Sequence, residues 1–196
     1  MRKIIACLGA VVLLGGCELD TEESLKQKLS ARLYILETMH FTSKSSCTAA
    51  VFTLALGEFR KPYPLAETID RALERIRAQK HVQFALEGLT PNEITEAIMS
   101  RDLPNGLGLI SAGIGPARDC MDQRISRGYH RVLLSPASQM VYMPEDNALL
   151  IVYPPEKLAF FLRGNVYALI LADHALLAGA GEACLLIGRS RARSKA

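Results

Sequence analysis

His130 to Leu162 reads HRVLLSPASQMVYMPEDNALLIVYPPEKLAFFL. Four apolar or β-branched runs stand in it: His130–Leu134, Gln139–Met143, Ala148–Tyr153 and Leu158–Leu162. Ser135-Pro136, Pro144-Glu145-Asp146-Asn147 and Pro154-Pro155 separate them. Short runs of this composition divided by proline and Asx turn residues predict an antiparallel meander.

Upstream of the meander the pattern is helical. Leu25, Leu29, Leu33 and Leu36 form one apolar stripe, with Thr21 or Ser24 as a cap. Cys47 to Leu56 leaves almost no polar face and reads as a central core helix with Gly57 as its stop. Phe59–Pro64 is a break, after which Leu65, Ile69, Leu73 and Ile76 mark a third helix. His81–Leu86 fits a strand or a helix continuation. Thr90-Pro91-Asn92-Glu93 is a capping box with proline at the first helical position, opening a helix through Met99. Asn105–Gly115 (NGLGLISAGIG) reads as a glycine-rich loop. The glycine spacing of a dinucleotide fingerprint fails in both registers, at Ser111 and at Arg118. Pro116–Arg127 reads as a further helix stopped by Gly128. The expected fold class is therefore α+β: N-terminal helices followed by a small antiparallel sheet, in one domain over residues 24–188. Val166–Ile187 is apolar but contains Asp173, His174 and Glu182, which favours a buried helix or strand pair over a bilayer span. Residues 189–196 form a basic tail.

Composition excludes several classes. Hydrophobic residues are 49% and charged residues 22% of 196, ordinary globular values. Lys and Arg number 23 against 20 Asp and Glu. Discounting Arg2 and Lys3, which belong to the leader described next, leaves 21 against 20. Such a balance, with no tryptophan, lacks the basic footprint of nucleic-acid binding.

Residues 1–16, MRKIIACLGAVVLLGG, have a basic start, an apolar run from Ile4 to Leu14 and a small-residue exit. This is the layout of a secretory signal. The run would extend only about 16 Å as a helix, too short to cross a bilayer. Leu14-Gly15-Gly16-Cys17 resembles the lipobox of bacterial lipoproteins. The resemblance implies cleavage before Cys17, acylation of its thiol and attachment to a membrane through the acyl chains. Each buried methylene contributes about 0.8 kcal/mol, so several chains anchor durably. Glu18 stands where aspartate is the usual inner-membrane retention signal in enteric bacteria, which favours the outer membrane. Residues 17–23 read as a short acidic tether, so the domain is expected close to the bilayer, facing the periplasm. The alternative is a soluble secreted chain with Cys17 in a disulfide.

Past Cys17, three cysteines remain: Cys47, Cys120 and Cys184. The periplasm oxidises thiols, and three single pairings are possible. Cys47 with Cys120 is preferred, as both fall in the helical half. Cys184 lies among apolar neighbours and reads as a buried thiol. A second reading makes Cys47 a nucleophile at a helix N-terminus, with His130 as base and Asp146 or Asn147 orienting it. That would be a membrane-anchored hydrolase of peptide or amide bonds. A Cys47–Cys120 bond would exclude it unless reduction activated the protein. The four histidines show no metal-ligand spacing, and neither a metal nor a cofactor is implied. The expected function is an envelope interaction or assembly role with a protein partner.

Overall fold

A computed structural model describes residues 19–113 and 115–164. Residues Asp20–Val166 form one compact unit. The expected end of the domain at residue 188, the basic tail, Cys17 and Cys184 lie outside the described residues.

The elements run α1 (Glu22–Ser30), β1 (Ile35–Ser43), β2 (Cys47–Leu54), β3 (Leu65–Ala66), α2 (Ile69–Arg77), β4 (Val82–Phe84), α3 (Pro91–Arg101), α4 (Leu103–Gly113), α5 (Gln123–Leu133), β5 (Gln139–Met143), β6 (Ala148–Tyr153) and β7 (Leu158–Gly164). A 3-10 turn, Pro116–Cys120, joins α4 to α5. The strands make one seven-stranded sheet in the order β1-β2-β7-β6-β5-β4-β3. Neighbours are antiparallel except β3 and β4, which are parallel.

This corrects the expected fold class. The sheet is large and mixed, and four of its strands come from the half of the chain read as helical. The cause is burial on both faces. In β2, Ala49 and Val51 face α2–α5, while Ala50, Phe52 and Leu54 face α1. A strand covered on two sides loses its polar alternation, and a continuous apolar run cannot be told from a core helix by periodicity. The same alternation carries through the meander. Leu149, Ile151, Phe160 and Leu162 lie in the α2–α5 core, and Leu150, Val152, Ala159 and Phe161 lie under α1. The result is three layers, with the sheet in the middle.

Other boundaries also differ. The first helix ends at Ser30, and Leu36 is exposed on β1 rather than part of the stripe. Leu65 belongs to β3, and α2 begins after the Thr68 cap. Asn105–Gly115 is not a loop: most of it is α4. Gly128 sits inside α5, which runs on through His130–Leu133, so the expected first strand of the meander is a helix end. There Ile125, Tyr129, Val132 and Leu133 are buried at helical spacing. The capping box at Thr90 and Glu93 is present, as are strands over 139–143, 148–153 and 158–164. Of the two readings of His81–Leu86, the strand is correct.

Candidate functional site

Cys47, Thr48, Met143, Ala148, Arg163 and Gly164 all fall at one end of the sheet, because β2 and β6 start there and β5 and β7 finish there. Asp20 is fastened to this end. Its carboxylate accepts a hydrogen bond from Thr48 Oγ1 at 2.7 Å and is ion-paired with Arg163. The Asp20 and Arg163 side chains are only 17% and 23% exposed. Thr21 then caps α1 at once, its hydroxyl accepting from Ser24 N while Ser24 Oγ accepts from Thr21 N. The acidic stretch read as a tether through Glu23 is thus ordered from Asp20 onward. Nothing in the sequence singled out Asp20 or Arg163. Their pairing depends on the register Thr48↔Arg163, which exists only once β2 is a strand.

On the other face of the same end stands the disulfide Cys47–Cys120, with both residues almost fully buried. It joins the start of β2 to the 3-10 turn, as the preferred pairing expected. Two contacts from the edge of the sheet converge on that turn. His40 Nε2 donates to the Cys120 carbonyl at 2.9 Å, and Lys44 Nζ donates to the Asp119 carbonyl at 2.7 Å. Asp122 caps α5 by accepting from Ile125 N at 2.8 Å. That backbone hydrogen bond is the main cause that lowers its pKa below the usual carboxylate value, with His40 a lesser one.

Among the described residues, the other candidate chemistry-bearing side chains do not assemble. Cys47 is a disulfide sulfur and therefore offers no thiolate. His130 lies on the exposed side of α5. Asp146 accepts from Lys28 Nζ at 2.6 Å, on the α1 side of the sheet. Asn147, the other candidate orienter, is committed to structure. It takes a left-handed conformation (φ 45°), donates from Nδ2 to the Gly164 carbonyl and to Ser111 Oγ, and so ties the β5–β6 turn to α4 and β7. The alternative of a Cys47–His130–Asp146 hydrolase thus has no assembled site. Its cysteine is spent in a bond, and its other two members are placed apart.

Among the described residues, no three His, Cys, Asp or Glu side chains converge as a metal site. No described helix is long and apolar enough to cross a membrane. A cleft of about 350 Å³ lies beside α2, lined by Asp70, Leu73, Glu74, Arg77 and Arg101. Its two arginines are already paired, Arg101 with Asp70 and Arg77 with Asp102, each at 2.8 Å.

No protein-family model, curated protein or solved structure matches this chain.

Proposed function

We propose that the chain is a lipid-anchored protein of the bacterial cell envelope, attached through acyl groups on Cys17 and facing the periplasm, with an interaction or assembly role. The observation that carries the reading is the lipobox resemblance at Leu14-Gly15-Gly16-Cys17, close in sequence to a residue that the sheet holds. Only Glu18 and Leu19 separate Cys17 from Asp20, three Cα-to-Cα steps, and Asp20 is tied to the sheet by Arg163 and Thr48. At ~3.3–3.6 Å per extended residue, the sheet end lies within about 11 Å of the acylated sulfur's backbone. A Cys47–Cys120 disulfide suits an oxidising compartment. Glu18 favours the outer membrane over the inner.

The interaction role is supported at the edge of the sheet. Leu36 and Met39 are the extra residues at two register breaks in β1, and they are 62% and 44% exposed. A bulge on an edge strand usually blunts it against pairing. Here each bulge turns a large apolar side chain outward, the composition of a contact surface.

Intact mass spectrometry of the membrane-extracted chain, without reductant and with thiol alkylation, tests the reading. Cleavage before Cys17, an acyl mass on it and no alkylation at Cys47 or Cys120 are expected. A soluble chain with an unmodified Cys17 would overturn the reading. A photo-crosslinker at Met39 is expected to give a discrete adduct in intact cells, and one at Lys157 is not. The interaction role fails if neither Leu36 nor Met39 gives one.

A further inference from the structure

Helix α4 is unusual among the five helices described. Its sequence, LPNGLGLISAG, contains no charged residue. Gly106, Leu109, Ala112 and Gly113 form its buried side. The opposite side carries Leu103 and Leu107, 56% and 51% exposed, with Pro104 exposed between them. A surface helix normally places charged residues there.

Its position in the fold bears on what could cover it. Gly108 abuts the Tyr142 hydroxyl near the end of β5, and Gly113 abuts Leu149 at the start of β6. The Ser111 carbonyl lies against Gly164, the last residue of β7. The helix therefore packs on the α2–α5 face at this end of the sheet, the end to which Asp20 is tied on the opposite face. Only two residues, Glu18 and Leu19, lie between Asp20 and Cys17. Anchoring at Cys17 would bring this end of the domain, and α4 with it, to the lipid surface.

We propose that the outer face of α4 rests on the bilayer, with Leu103 and Leu107 entering the boundary between headgroups and acyl chains. This rests on the lipid-anchor reading. The anchor fixes the height of the domain, and α4 fixes its orientation. An uncharged apolar face suits that boundary, where insertion scales with apolar area. The orientation also sends Leu56, at the far end of β2, away from the membrane.

The chain has no tryptophan, so single substitutions give clean probes. Leu107→Trp and Leu56→Trp are introduced into the full chain. Each purified, acylated protein is reconstituted into phosphatidylethanolamine–phosphatidylglycerol vesicles, with and without bromine-labelled acyl chains. For Leu107→Trp a blue-shifted emission that falls at least twofold with brominated lipid is expected, and for Leu56→Trp no change. An acylated, vesicle-bound chain whose Leu107→Trp is unquenched would overturn the bilayer contact and leave the anchor standing. A blue shift insensitive to bromine would mean that protein covers the face, and would equally overturn it. A chain that carries no acyl group on Cys17 would overturn both. Hydrogen exchange of the unsubstituted acylated chain guards against misfolding of the variants. Amides of residues 103–113 should exchange several-fold more slowly on vesicles, and equal rates with and without vesicles count against the contact.

Discussion

The Asp20 carboxylate pairs with Arg163, the penultimate residue of β7, and accepts from the Thr48 hydroxyl of the adjoining strand β2. Both charges are largely withdrawn from water, so losing one partner leaves the other undercompensated. Asp20→Ala is expected to destabilise the domain by about 1–3 kcal/mol in urea titrations. Asp20→Ala with Arg163→Met should cost less than the sum of the two single changes, because the double variant leaves no orphan charge. Strict additivity would mean that the pair contributes nothing as a pair.

The disulfide spans a sequence separation of 73. In the chain-entropy description, closing such a loop limits the unfolded ensemble by ~4 kcal/mol. The variant Cys47→Ala/Cys120→Ala should therefore unfold at clearly lower denaturant, and dithiothreitol should move the wild type in the same direction while leaving the variant unchanged. An unmoved midpoint for the wild type under reduction would show that the bond contributes little.

What the sequence made legible, and what it hid, follows from how many neighbours each residue has in the fold. The hairpins of 139–162 are readable because Pro144–Asn147 and Pro154-Pro155 mark their own turns. Thr90 and Glu93 were readable because a capping box is local. Cys47 and Cys120 do pair, although Cys47 opens a strand rather than lying in a helical half of the chain. β2 was hidden because both of its faces are covered, and with it the register that pairs Asp20 with Arg163. α4 was hidden because its glycines are packing devices rather than loop residues. An added Cβ at Gly106 would lie 2.6 Å from Met99 Cα, so α3 and α4 approach closely only with hydrogen there.

That closeness decides the sign of a substitution. Gly106→Ala gains up to about 1 kcal/mol of helix propensity. The clash with the Met99 backbone should outweigh it, for a net loss of about 1–3 kcal/mol. At Gly113 the obstructing atoms are the Tyr129 hydroxyl, 2.7 Å away, and Leu149 Cδ2. The Tyr129 hydroxyl is buried without a hydrogen-bond partner among the described groups. Tyr129→Phe should thus be neutral or stabilising, and Gly113→Ala should cost less in the Tyr129→Phe background than alone. Calorimetric midpoints of the four proteins check this, and equal losses in both backgrounds would refute it.

Burial also sets the alkaline limit. It pushes the pKa of Tyr142 up to about 12, and that of Tyr129 higher still. Below the unfolded value near 10 both rings are neutral in either state and stability is unaffected by pH. Between about 10 and 12 the unfolded chain ionises while the folded chain does not, so stability falls by about 1.4 kcal/mol per pH unit for each ring. For Tyr142 the fall levels off above about 12. Tyr142→Phe should remove its share of that slope in denaturation curves between pH 9.5 and 12, and should leave the curves below pH 9 parallel to wild type.

Asn147 and Lys157 occupy the same left-handed position, φ 45° and 51°, in the two turns of the meander. Glycine relieves the backbone strain at such a position. At Lys157, where the substitution changes little else, Lys157→Gly should stabilise by about 0.5–1 kcal/mol. At Asn147 the side chain does more, since Nδ2 donates to the Gly164 carbonyl and to Ser111 Oγ, joining the turn to β7 and α4. Asn147→Gly removes both bonds from partly buried acceptors, at about 1 kcal/mol each, which exceeds the relief. The two substitutions should therefore move the urea midpoint in opposite directions. A stabilising Asn147→Gly would mean that its bonds to Gly164 and Ser111 are replaced by water without loss, and that the packing of Gly106, Leu109, Ala112 and Gly113 suffices to hold α4 on the sheet.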